Sequence, residues 1–222
     1  MARFVGRYVF SADGFSNKPN LGQTNVSGSL QVEKPAGATT VENAYLVLVS
    51  SSTNPPAPSA SLDSQAVGFT HRSGGASSDS WRNWLADVTS LISDDLDSAS
   101  AGTIDIPVTF GPISRTSNDN VYTGVALTVV FNSTTAEPGT TIFQFGHAAT
   151  SGDSTTINFD ALTTNPSGAL LSLGIGWSIQ SSATAPSSNT LCDGTGELTC
   201  VDVTTTSAGK TRVSNFAGGK DD

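Results

Sequence analysis

The 222-residue chain is long enough to bury roughly 70% of its unfolded surface, so neither a metal nor a disulfide is needed for a core. Only 13% of its residues are charged, against about 25% in ordinary domains, and Ser, Thr, Gly and Asn fill the deficit, a composition typical of extracellular β proteins and unusual in cytosolic enzymes. A net charge of −9 with only 10 Lys and Arg excludes the basic stripe that nucleic acid requires and disfavours anionic membranes, and no apolar run approaches the ~18 residues of a membrane span.

Residues 1–10 carry Arg3 and Arg7 among apolar neighbours and lack the apolar run and small-residue site of a secretory signal. The apolar content and terminal position of Phe4 to Phe10 make it the candidate for a strand donated to a neighbouring chain. Residues 26–32 alternate as Val-Ser-Gly-Ser-Leu-Gln-Val, and the more apolar residues 41–49 read as a central strand. Residues 50–61, with Pro55, Pro56 and Pro58, read as a stiff surface loop.

From Trp81 the apolar residues fall at Trp81, Trp84, Leu85, Val88, Leu91 and Ile92, which is helical spacing. The expected helix is capped by Asp79 or Ser80 and ends near Ser93, because Asp94, Asp95 and Asp97 would meet the negative end of the helix dipole. It is expected to plug one end of a sandwich.

Strands follow at 103–110, 121–131, 140–145, 155–159, 169–179 and 198–206, with a second Ser, Ala and Pro loop at 181–189. Cys192 and Cys200 flank an Asp-Gly turn that would bring them together across a hairpin. One disulfide is expected, worth about 2–3 kcal/mol in the chain-entropy model. The alternative is two unpaired thiols on neighbouring strands. The tail from Ala217 reads as a junction, leaving room for the natural polypeptide to run on past Asp222.

Short strands at regular spacing predict an all-β fold: one antiparallel β-sandwich domain over residues 1–222, jelly-roll-like, with one short helix.

Tyr45-Leu-Val-Leu-Val precedes Trp84-Leu-Ala-Asp-Val-Thr-Ser-Leu-Ile; Tyr122-Thr-Gly-Val-Ala-Leu-Thr-Val-Val-Phe and the tail Ala-Gly-Gly-Lys-Asp-Asp follow. This order of motifs resembles the adhesin-like β-sandwich domains of large secreted bacterial surface proteins. The resemblance covers residues 41–145 and the tail, with Val125 where such domains often have Trp. It implies an exported, non-enzymatic module at the cell surface, and brings no catalytic residues with it.

His71 and His147 are the two histidines, and no Gly-x-Ser-x-Gly elbow, His-Glu-x-x-His, phosphate loop or dinucleotide fingerprint is present. Hard cations want six to eight oxygens. Asp94, Asp95 and Asp97 are the first choice for a structural Ca²⁺, ahead of Asn118, Asp119 and Asn120, and of Asp193 with Glu197; all serve equally well as turn residues. Asn25-Val-Ser and Asn132-Ser-Thr have the form of N-glycosylation acceptors. Lys34 is the one strand-adjacent lysine suited to an intramolecular crosslink.

The expected function is a non-catalytic structural or adhesive subunit of a bacterial cell surface, extracellular fibre or matrix, associating with its own kind or with other surface proteins. The alternative is a carbohydrate-binding module stacking Trp81, Trp84 or Trp177 on sugar rings.

Overall fold

The computed structural model describes residues 2–16, 25–50, 57–72, 82–111, 122–143, 145, 170–172 and 212–214. In chain order the strands are β1 (Ala2–Gly6), β2 (Tyr8–Ser16), β3 (Val26–Lys34), β4 (Ala38–Ser50), β5 (Ser59–Leu62), β6 (Gln65–Ala66), β7 (His71–Arg72) and β8 (Arg82–Asp87). The helix α1 (Thr89–Ser98) follows, then β9 (Gly102–Gly111), β10 (Tyr122–Ser133), β11 (Gly139–Phe143), β12 (Leu170–Ser172) and β13 (Arg212–Ser214). Two compact units divide the chain, Met1–Asp153 with two later pieces, and Ser154–Leu173 with Ile179–Ser214. Among the described residues the second contributes only β12 and β13, a parallel pair in the register Leu171↔Val213.

In the first unit every described pairing is antiparallel. A five-stranded sheet has the order β2-β10-β4-β8-β7, a four-stranded sheet the order β3-β9-β5-β6, and β1 pairs with β11. The two larger sheets share one apolar core, so the fold is an all-β sandwich. Leu30 and Val32 of β3, Ile106 and Val108 of β9, and Leu62 of β5 meet Leu46 and Leu48 of β4 and Val125, Leu127 and Val129 of β10. The period-two alternation that predicted β3 is what the sheet uses: Val26, Leu30, Val32 and Lys34 point in, and Ser27, Ser29, Gln31 and Glu33 point out. The outward ladder is polar on both strands, with Ser27 and Thr109 hydroxyls 2.8 Å apart and Gln31 Nε2 donating to Asp105 Oδ1 at 3.3 Å.

The structure corrects several boundaries. Residues 82–87, expected in the helix, are β8, paired with β4 in the register Leu48↔Trp84 and Leu46↔Ala86. The Trp84, Leu85, Val88 spacing suits a helix in isolation, but β4 offers a hydrogen-bonding edge that a helix here would leave empty. The helix starts at Thr89 and runs through Asp94, Asp95 and Asp97 rather than stopping at Ser93. Its C-terminal carbonyls are met by the Lys34 ammonium, which supplies the positive charge that the sequence of the helix itself lacks. The expected caps Asp79 and Ser80 lie outside the described residues.

The expected loop at 50–61 includes β5 from Ser59, which enters a hairpin with β6 through Asp63 and Ser64 at φ 47° and 66°. Positive φ at both loop residues is the two-residue turn whose twist matches its strands. His71, expected in a loop, lies on β7 opposite Leu85.

The helix packs along β4 and sends Ile92 and Leu96 into the core. Four contacts tie it to both sheets. Ala44 N–H donates to Thr89 Oγ1 at 2.9 Å and Val41 N–H to Asp97 Oδ1 at 2.6 Å, both from β4. Lys34 reaches it from β3, and Gln65 Nε2 from β6 donates to the Leu91 carbonyl at 2.8 Å. The helix closes one end of the sandwich in this way.

Candidate functional site

Sheet edges are where a β protein meets other chains, because each carries a row of unpaired N–H and C=O groups. The sandwich treats its edges differently. At one side the terminal strands β6 and β7 are two residues long, too short to template a neighbour. At the other side β3 presents nine residues, but β2 lies over it. Gln31 N–H donates to Asp13 Oδ2 at 2.6 Å, and Glu33 N–H to Ser11 Oγ at 2.9 Å. Gly28 makes room for the Phe15 ring, which also approaches Phe110 with centroids 6.0 Å apart. Side chains of one sheet thus occupy backbone donors of the other.

The remaining edge belongs to residues 2–16. They form one long antiparallel stripe against residues 122–143: β2 on β10 from Tyr8↔Asn132 to Ser16↔Gly124, and β1 on β11 from Ala2↔Phe143 to Gly6↔Gly139. Residues 134–138 loop out opposite Arg7. Ser133 N–H donates to the Arg7 carbonyl at 2.9 Å, and Arg7 Nη1 donates to the Ala136 carbonyl. The loop is fastened to the β3–β4 turn, where Thr134 N–H donates to the Gly37 carbonyl at 2.9 Å. Gly37 has φ +85°, and a Cβ there would fall 2.4 Å from Thr135 Oγ1, so only glycine fits.

The β1–β11 ribbon pairs with no further strand among the described residues. On it sits Val5, 67% exposed, the one large apolar side chain among them that faces solvent. Arg3 beside it is also exposed. Phe4 is buried and meets Tyr8, ring centroids 5.8 Å apart. Phe143 stacks on Tyr45 of β4 at 4.4 Å and 13°. Burial and the nearby Asp87 carboxylate push the Tyr45 phenol above its ordinary pKa.

Other residues singled out in the sequence are placed as follows. Asp94 and Asp95 are exposed on α1, while Asp97 turns inward onto Val41 N–H. Among the described residues no three His, Cys, Asp or Glu side chains gather as a metal would require. Trp84 is half-buried against the core cluster. Trp81, Trp177, His147, Cys192, Cys200, Asn118, Asp119, Asn120, Asp193 and Glu197 lie outside the described residues. Lys34 Nζ faces backbone carbonyls of Leu96, Asp97 and Ala99. Asn25 is exposed at the start of β3, whereas Asn132 Nδ2 is engaged by Thr40 Oγ1 at 3.1 Å and Glu42 Oε2 at 2.9 Å.

An open groove of about 260 Å³ lies beside Asn25, lined by Ser59, Ser61, Ser64, Thr109 and Phe110 among others. None of its lining side chains titrates. The sequence reading missed Ser11 and Asp13. Their signal was the alternation of 9–15, where Val9, Ser11, Asp13 and Phe15 share one side of β2; the polar pair hides the apolar one.

Comparison with protein-family models, with curated proteins and with solved structures gave no match to this chain.

Proposed function

We propose that the chain is a non-catalytic structural or adhesive subunit of a bacterial cell surface, extracellular fibre or matrix, acting by association through its N-terminal strands. The observation that carries this reading is the contrast between edges. Three edges of the sandwich are shortened or plugged, whereas among the described residues the β1–β11 ribbon keeps an unpaired edge and an exposed Val5. Two-stranded ribbons are marginal alone in water and gain from a third strand. Covering Val5 would add roughly 1–2 kcal/mol per contact. An extracellular setting, with Cys192 and Cys200 joined, belongs to the same reading.

The test is light scattering after size-exclusion chromatography, with negative-stain imaging, on the wild-type chain and on Val5→Lys, with and without a calcium chelator. The wild type is expected to form concentration-dependent oligomers, and Val5→Lys to shift them towards monomer while keeping its β-type circular dichroism. A wild-type chain that stays monomeric at every concentration overturns the reading. A chelator that dissolves the oligomers would add a bound cation to it.

A further inference from the structure

We propose that residues 2–16 are exchanged between copies, so that β1 and β2 of one chain seat on β10 and β11 of the next. The inference rests on the assembly reading above and specifies its mode.

These residues behave as a detachable piece. Among the described residues their strand pairing is to one partner stretch, residues 122–143, over five register pairs with β11 and nine with β10. Among the described residues side chains hold them as well: Ser11 and Asp13 on the β3 backbone, Phe15 over Gly28, and Arg7 on the Ala136 carbonyl of the same partner stretch. Within this chain they join the rest only through residues 17–24.

The seat they occupy cannot stay empty. Among the described residues β10 buries more apolar side chains than any other strand of its sheet, Val125, Leu127, Val129, Val130 and Phe131 among them. Removing β2 would leave it as a bare edge and uncover the core beside Val9 and Phe15, which pack against it. The segment of matching register and inward pattern is residues 2–16 itself, supplied by a second copy. Exchange therefore preserves every pairing and plug of the closed chain, and the connection decides which form is populated.

That connection is long enough. The steps from Ser16 to Asn25 reach at most about 30 Å at ~3.3–3.6 Å per residue, close to the length of β2 at ~3.3 Å per residue. A neighbour displaced by one strand length is within reach. Because donor and acceptor surfaces differ, the contact is heterologous, and successive exchanges build an open filament unless the rotation closes a ring.

The test uses register partners. Ala12 lies opposite Thr128, both half-buried. Full-length Ala12→Cys and Thr128→Cys variants are mixed in equal amounts, unfolded, refolded together and oxidised. The bridge between the introduced cysteines is then sought by peptide mapping. Random exchange gives about half of the chains as covalent heterodimers, and the double variant gives a covalent ladder. If only the double variant is bridged, within single chains, while particles persist, exchange is refuted and association stands. If no particles form with any variant or with the wild type, the assembly reading falls as well. Should the first pair refold poorly, Arg3→Cys with Ile142→Cys repeats the test on the ribbon, where these two residues are partners.

Discussion

The Lys34 ammonium donates to the Leu96 carbonyl at 2.7 Å, bringing the end of a strand in one sheet onto the last turn of a helix tied to the other. Its remaining hydrogens reach the Asp97 carbonyl at 3.0 Å and the Ala99 carbonyl at 2.9 Å. Helix ends leave their final carbonyls without partners and carry partial negative charge. A buried lysine with all three donors used answers both needs and offsets the exposed Asp94 and Asp95.

Lys34→Met should therefore destabilise the fold by about 2–4 kcal/mol, because charge-assisted bonds are lost and buried carbonyls stay unpaired. Urea denaturation reads the change as a lower midpoint. Amide exchange should quicken at the C-terminal turn of α1 before it does so in β9. A midpoint within error of the wild type would refute this role.

Thr89 is a relay between helix and sheet. Its hydroxyl accepts from Ala44 N–H at 2.9 Å and donates to Asp87 Oδ1 at 2.6 Å, while Val88 N–H returns to the Ala44 carbonyl at 2.9 Å. Thr89→Val keeps the shape and removes the oxygen, leaving the Ala44 N–H without its acceptor, at a cost of about 1–3 kcal/mol. Thr89→Ser should retain most of the stability. Equal midpoints for the Val and Ser variants would show that the hydroxyl is irrelevant.

These two residues also mark the limits of reading the sequence. Alternation in 26–32 and 103–110 marks the two long strands of the smaller sheet, since one face of each is buried and the other wet. The helix was misplaced because Trp84, Leu85 and Val88 fit a period of 3.6 as well as they fit the end of β8. Only the long-range partner, β4, separates the two possibilities. The Asp run looked like a stop signal because Lys34, the charge that permits it, lies some 60 residues earlier in the chain. The short strands β5, β6 and β7 carry no periodic signal at that length. The plugs at Ser11 and Asp13 depend on inter-sheet geometry, which no local window contains.

The plugs can be tested one amide at a time. Ser11→Ala should speed hydrogen exchange of the Glu33 amide and spare that of Gln31; Asp13→Ala should do the reverse. Each should cost about 1 kcal/mol, the usual net value of a single hydrogen bond. The double variant exposes adjacent donors on β3 and should promote association at that edge. Unchanged exchange at both amides would mean the seam is not closed in solution.

Tyr45 gives a pH dependence with a defined sign. Its pKa in the folded chain lies above the ordinary 10.0, through burial first and the Asp87 charge second. As pH rises past the ordinary value, the unfolded chain releases the phenolic proton before the folded one does. The contribution of the neutral phenol is thus complete below the unfolded pKa and is lost as pH climbs through the folded one. Alkaline denaturation series should show this decline, and Tyr45→Phe, which keeps the ring against Phe143, should lessen it. Asp87→Asn keeps an oxygen for Thr89 and removes the charge, so it should lessen the decline by a smaller amount.

Gly28 and Phe15 should be strongly coupled. In an open strand, alanine is more stable than glycine by about 0.5–1 kcal/mol, because glycine loses more backbone freedom on folding. Here a Cβ on Gly28 would lie 2.5 Å from Phe15 Cζ and under 3.0 Å from both neighbouring ring carbons. The ring would have to leave its place by Phe110, so Gly28→Ala should cost about 1–3 kcal/mol. With Phe15→Ala already present the clash is gone, and Gly28→Ala should become neutral or stabilising. A double-mutant cycle by urea denaturation measures that reversal directly. If Gly28→Ala costs the same in both backgrounds, Phe15 does not lie across β3, and β2 is not the strand that closes this side of the sandwich.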